Sequence, residues 1–262
     1  MNMAERVKLA YRESGEGETI LLIHGFCGNK DYWKEVEARL SPSHHVVVLD
    51  MRGHGETKAV EPGYSIHDMA EDVFAFIEEK GLQNIFLFGH SMGGYITLDL
   101  AKHHPEILGG YGLIHSTAYP DSEEAKKNRS AGVSKVSQQG VDLFVKELVP
   151  KLVSERTRET EKDVIKKLFE IGIETNPKGV IGALMAMRNR EDLTHVLEND
   201  RLPVLLVAGG QDEVISPEKT FTANGSHVTK ALIEEAGHMG IFETPDEVSR
   251  AVASFVDENS KK

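Results

Sequence analysis

Short apolar runs without polar alternation recur along the chain: Thr19 to His24, His45 to Asp50, Asn84 to Gly89, Gly110 to His115, Leu202 to Ala208 and Thr229 to Glu234. A strand that is apolar on both faces must be covered on both, which is the condition of strands inside a parallel sheet. Helical patterns separate these runs up to about Ser116 and again from about Leu202, so the spacing predicts a doubly wound α/β domain with a mostly parallel sheet. The earlier segment Val7 to Arg12, followed by Glu13-Ser14-Gly15-Glu16-Gly17-Glu18, reads as a strand and turn that feed a hairpin and add an antiparallel edge.

The helices carry readable stripes. Behind Ser65 as N-cap, Ile66, Met69, Ala70, Val73, Phe74 and Ile77 recur at i, i+3 and i+4 and should cover one sheet face. Near the C-terminus, Thr244-Pro245-Asp246-Glu247 combines an N-cap, a proline at the first helical position and an acidic N3. Val248, Ala251, Val252, Phe255 and Val256 form the stripe that follows, so the chain is expected to end on a docked helix and a polar tail. From Pro120 to about Arg190 there are no strand-like runs. The charged patch Asp121 to Arg129 gives way to two amphipathic helices, one carrying Val141, Phe144, Val145, Leu148, Val149 and Leu152, the other Val164, Ile165, Leu168 and Phe169. The expectation is a helical insertion over 117–187 between core segments 1–116 and 188–262, with the stripes buried against the core; a membrane- or partner-docking face is the rival reading.

Bulk properties narrow the function classes. A chain of 262 residues suits one domain with an insertion. Its formal charge of -12 at pH 7 disfavours binding to a phosphate backbone, which needs a basic stripe, so nucleic acid is set aside. The longest apolar stretches, Ile20 to Ile23 and Val204 to Ala208, fall far below the roughly 20 residues of a transmembrane helix. The single cysteine, Cys27, closes no intrachain disulfide, and Met1-Asn2-Met3-Ala4-Glu5-Arg6 has no apolar leader-like run, so a cytoplasmic location is expected.

Chemistry concentrates at Gly89-His90-Ser91-Met92-Gly93-Gly94, which joins the strand ending at Phe88 to the helical stretch Tyr95 to His104. A serine on a tight strand-to-helix turn, with glycines on both sides so that neighbouring backbone can approach, is the arrangement of a nucleophile elbow. The serine needs a base, and the base an orienting acid, each at the end of a later strand. Gly209-Gly210-Gln211-Asp212 leaves one such strand and Gly237-His238-Met239 the next. Ser91, Asp212 and His238 are therefore the candidate nucleophile, acid and base. An oxyanion formed at Ser91 needs two backbone donors. The N–H of Met92 is one candidate and that of Phe26, in His24-Gly25-Phe26, the other, with plain core packing as the alternative for Phe26.

Three further residues flank this constellation. His90 stands beside the nucleophile; Cys27, next to Phe26, either lines the pocket or packs in the core; His115, at a strand end, either faces the substrate or is structural. Nothing supplies Cys27 with a base of its own. The pairs His44-His45 and His103-His104 lack the i, i+4 spacing of helical metal ligands and read as surface residues, so no metal is expected.

Together with Asp50-Met51-Arg52-Gly53-His54-Gly55, these motifs resemble the α/β-hydrolase superfamily, in particular its small, capped, esterase-like serine hydrolases. The resemblance covers nearly the whole chain apart from the insertion. It implies an eight-stranded, mostly parallel sheet, a helical cap between the strand ending at His115 and the one beginning at Leu202, and no cofactor. Ser91 stands where the dehalogenase and epoxide-hydrolase branches have an aspartate, which argues against their carboxylate-nucleophile chemistry. The expected reaction is acyl transfer from a small ester-like substrate to water. Hydrolysis of a lactone or a carbon-carbon bond would use the same residues, with Arg188 or Arg190 available to hold a substrate carboxylate. A slow-turnover ligand receptor is the reading from another class, and the oligomeric state is left open.

Overall fold

The computed structural model describes residues 6–199 and 201–260. The segment Met1 to Glu5, on which the expectation of a missing leader rests, and the last two residues of the expected polar tail lie outside them. The apolar runs form one sheet of order β1-β3-β2-β4-β5-β6-β7, made of β1 (Ala10–Ser14), β2 (Thr19–Ile23), β3 (His45–Asp50), β4 (Ile85–His90), β5 (Leu108–Ile114), β6 (Val204–Gly209) and β7 (Val228–Ile233). All neighbours are parallel except β1 and β3. Ile20 to Ile23, Val46 to Leu49 and Val204 to Ala208 are fully buried, as their lack of alternation requires.

The eight strands implied by the resemblance are seven among the described residues. The expected Val7 to Arg12 strand starts three residues later, because the Val7 N–H donates to Asp72 Oδ1 (2.9 Å) on a helix rather than to the sheet. Nor does β1 form a hairpin with β2. It lies antiparallel to β3, with Ala10 opposite Asp50 and Ser14 opposite Val46, while β2 lies on the other side of β3. The turn at Gly15 crosses the start of β3. Gly15 has φ 76°, and a Cβ there would sit 2.2 Å from the His44 carbonyl oxygen.

Helices α1 (Lys34–Leu40), α2 (Ile66–Lys80) and α3 (Met92–His103) and the C-terminal helix Pro245–Asn259 cover the sheet, α2 against α3 and α1 against the C-terminal helix. Ser65 caps α2 through a reciprocal box with Asp68. Thr244 makes no such cap. Its hydroxyl donates backwards to the Gly240 carbonyl (3.2 Å) instead. No helix of the described residues is long and apolar enough to cross a membrane.

Between β5 and β6 the chain is helical, as expected, but with more helices than the two stripes indicated: α4 (Glu123–Gln139), α5 (Val141–Leu148), α6 (Glu155–Thr160), α7 (Lys162–Ile173) and α8 (Pro177–Arg188). The stripe from Val141 to Leu152 is not one helix, since it tightens into a 3-10 turn at Val149–Lys151, where Pro150 removes an N–H. The charged patch opens α4, in which only Gly132 and Val136 are buried. In α8, Gly179 and Gly182 permit close backbone approach: a Cβ on Gly179 would lie 2.2 Å from the Gly53 carbonyl oxygen. Helix α4 packs on α8 and α5 on α7.

Candidate active site

Ser91 sits between the last residue of β4 and the first of α3 with φ 50° and ψ −113°, a backbone conformation that costs a non-glycine residue on the order of 1–3 kcal/mol. The flanking glycines are required by space. A Cβ on Gly89 would lie 2.1 Å from Gly93 carbonyl atoms, and one on Gly93 would lie 2.4 Å from the Ile23 carbonyl oxygen. Two hydrogen bonds hold the turn, from the Ser91 N–H to the Ile114 carbonyl (3.0 Å) and from the Ser116 hydroxyl to the Ser91 carbonyl (2.7 Å).

The structure brings Ser91, His238 and Asp212 into one hydrogen-bonded chain. His238 Nε2 lies 2.8 Å from Ser91 Oγ, and its Nδ1 lies 2.9 Å from Asp212 Oδ2. The other carboxylate oxygen of Asp212 accepts from the N–H groups of Val214 (2.8 Å) and Ile215 (2.9 Å). Burial pushes the Asp212 carboxyl up, but the charge and hydrogen bond of His238, with the Ile215 N–H, outweigh it and hold the group below its ordinary range. An ionised Asp212 accepts the proton on Nδ1 and leaves Nε2 as the acceptor facing the serine hydroxyl.

At the candidate oxyanion site, Met92 is the first residue of α3, where an N–H has no helical acceptor. Phe26 lies in the turn after β2, closed by a Gly28 N–H to Gly25 carbonyl bond (3.1 Å). Neither the Met92 nor the Phe26 N–H donates a hydrogen bond among the described residues.

A cavity of about 760 Å³ is lined by Phe26 and Tyr95 of the core and by Phe144, Leu148 and Leu184 of α5 and α8, with Ile215 from the loop after Asp212. Ser91 and His238 are not among its wall residues, and neither are Cys27, His90 and His115. The last three are buried, His90 against the His238 ring (centroids 5.2 Å apart), His115 beside Asp212, and Cys27 next to Tyr32, whose hydroxyl donates to the Cys27 carbonyl (3.2 Å). Burial pushes the Cys27 thiol up, away from reactivity. His90 Nε2 donates to the His238 carbonyl (2.8 Å) and so props the loop that carries His238. His115, with φ 48°, has Nδ1 at 3.8 Å from Asp212 Oδ2, and burial pushes its imidazole down to about 4.

Arg190 does reach the cavity wall, stacked 4.0 Å over the Tyr95 ring. Its Nε donates to the Tyr119 carbonyl, and its Nη1 to the Met187 carbonyl and the Asp121 carboxylate, so most of the guanidinium is committed to the protein. Arg188 points instead to the Asn189 side chain. The sequence reading missed Glu243, whose carboxylate accepts from Gly237 (3.1 Å), Met239 (3.2 Å) and Ser154 (2.8 Å), tying the His238 loop to the segment before α6. It also missed His24, whose Nε2 accepts from the Met51 N–H (3.0 Å) while Nδ1 donates to the Gly25 carbonyl (2.7 Å). Nothing local marks either residue, because each partner is remote or is main chain.

The sequence pattern of the α/β-hydrolase fold matches residues 18–245. The dihydrolipoyllysine-residue acetyltransferase component of the acetoin cleaving system of Pseudomonas putida is 30% identical over 253 residues, covering 92% of this chain; the chain spans only 64% of that relative's length. The 2-(acetamidomethylene)succinate hydrolase of Mesorhizobium japonicum is 25% identical over 261 residues, covering 96% of this chain and 92% of that protein. Among solved structures, a thermophilic esterase from Thermogutta terrifontis with malate bound superposes with a TM-score of 0.91 at 31% identity, covering 96% of this chain and 94% of its own.

Proposed function

Because the chain belongs to the α/β-hydrolase fold family, we propose that it is a serine hydrolase that cleaves small carboxylic esters through an acyl-enzyme. The observation that carries this reading is the unbroken hydrogen-bonded chain from Ser91 Oγ through His238 to Asp212. Ser91 Oγ attacks the ester carbonyl as His238 Nε2 takes its proton, and the resulting imidazolium is stabilised by the Asp212 carboxylate. The Met92 and Phe26 N–H groups, free of other acceptors, hold the oxyanion. Collapse expels the alcohol with the proton from His238, and water, deprotonated by the same imidazole, releases the acid and restores Ser91.

The helical segment 117–187 acts as a cap: Phe144, Leu148 and Leu184 supply an apolar wall that limits the chain length of the acyl or alcohol group. The likeness to the Thermogutta esterase supports an ester substrate. Lactone or carbon-carbon cleavage would be helped by a free cation for a second carboxylate, and the engagement of Arg190 with Asp121 speaks against that role.

The test is steady-state turnover on a panel of ester, lactone and diketone substrates with Ser91→Ala as the blank. Sustained turnover of short esters above the blank is expected. A single slow burst without turnover would instead make the protein a receptor.

A further inference from the structure

Away from Ser91, at the far end of α3, two imidazoles and a carboxylate converge. Asp99 and His103 are one helical turn apart on α3, and His67, in the first turn of the neighbouring α2, faces both. His67 Nδ1 lies 2.8 Å and His103 Nδ1 3.2 Å from Asp99 Oδ1, and the rings of the two histidines are 4.5 Å apart. The ligand atoms of all three lie within 4.8 Å of one another. We propose that His67, Asp99 and His103 bind one divalent metal ion of the zinc class.

The donor set selects the ion. Two imidazoles and one carboxylate suit Zn²⁺ or Co²⁺, whereas Mg²⁺ and Ca²⁺ require oxygen ligands. Legs of about 2.0–2.1 Å at a tetrahedral angle put ligand atoms roughly 3.3 Å apart, so the 2.8 and 3.2 Å carboxylate-to-imidazole distances open by a few tenths of an ångström, the imidazole pair closes from within 4.8 Å, and His103 Nδ1 gives up its hydrogen bond to the Asp99 carbonyl (2.9 Å). The setting suits a cation as well. Asp99 is buried and so is prepaid in position, and Asp68 and Glu71 add negative potential at His67. A cavity of about 430 Å³ beside the cluster, lined by His67, Asp99 and His103, gives water access to the fourth position. The site is also remote from the catalytic chain: Asp99 and His103 follow Ser91 by about 12 and 18 Å along α3 at about 1.5 Å per residue. The ion would clamp the start of α2 to the end of α3 without entering the reaction. The pattern escapes the sequence because His103 works with the residue four before it and with another helix, not with His104.

Titration calorimetry of the full chain with Zn²⁺ should give one equivalent bound, and Co²⁺ should give the visible absorption of a four-coordinate nitrogen–oxygen site. His67→Ala and His103→Ala, both at half-exposed positions, should each raise the Zn²⁺ Kd at least about tenfold, the lower bound for losing even an outer partner of a metal site. The melting temperature should rise with Zn²⁺ in the parent and not in the variants, and His67→Gln serves as a second removal of the ligand should the alanine variant not fold. Unchanged Zn²⁺ affinity in the folded variants, no binding in the parent, or Mg²⁺ competing on equal terms would each overturn the site.

Discussion

The Phe144 ring meets the Phe26 ring edge to face, centroids 5.9 Å apart at 76°, joining α5 of the insertion to the turn that carries a candidate oxyanion donor. Pocket size and oxyanion geometry therefore share a contact. Phe144→Ala should widen the cavity, shifting kcat/KM toward longer acyl chains by about tenfold, on the scale of one or two methylene groups in an apolar pocket. Since Phe144 is only half-buried, the stability loss should stay below the roughly 3–5 kcal/mol of a fully buried phenylalanine. Chain-length profiles and urea melts of the variant check both; an unchanged profile would detach α5 from the pocket.

Ser91→Ala should abolish labelling by a fluorophosphonate and lower kcat by about 10⁴-fold or more, leaving whatever the oxyanion donors and binding alone provide. The variant also relieves nothing of the φ 50° backbone, because alanine is no happier there than serine, so its melting temperature should stay near the parent's. Mass spectrometry of the intact protein after labelling decides the point: a phosphonate adduct on the variant places the nucleophile elsewhere.

Asp212→Asn should preserve the fold yet lower kcat by up to about 10⁴-fold, because the amide cannot both accept from the two backbone N–H groups and hold the His238 tautomer that leaves Nε2 free. Near-parental kcat in a folded Asp212→Asn protein would assign the acid to another carboxylate.

Stability should fall on acidification below about pH 6.5. Burial pushes the His54 imidazole down to about 3 and that of His115 down to about 4, while an unfolded imidazole takes its proton near 6.5. Between those values the unfolded chain holds more protons than the native one, so stability is full above about pH 6.5 and is lost as pH drops toward the folded values. Each group contributes a slope of about 1.4 kcal/mol per pH unit. Urea unfolding between pH 5 and 7 should show this slope, and His54→Asn should lessen it by one group's share while that of His115 remains; a slope identical in parent and variant would remove His54 from the account.

The fold and the candidate reacting residues were legible because each rests on a local pattern. Non-alternating runs such as Ile20 to Ile23 mark strands buried on both faces, and the glycines around Ser91 and the ends of β6 and β7 mark where Ser91, Asp212 and His238 emerge. What was misread depends on partners distant in the chain. Val7 is drawn off the sheet by Asp72, which costs the expected hairpin, and α8 is hidden because its glycines approach Gly53 and Tyr64.

The sequence by itself determined the alternation of strands and helices on either side of the insertion and the identity of the candidate nucleophile, acid and base, because periodicity and turn chemistry act over a few residues. Only the tertiary structure decided which side chains line the cavity, that Glu243 braces the His238 loop, and that His67 joins Asp99 and His103. Those arrangements depend on packing between elements far apart in the chain, and no local spacing encodes a distance across that gap.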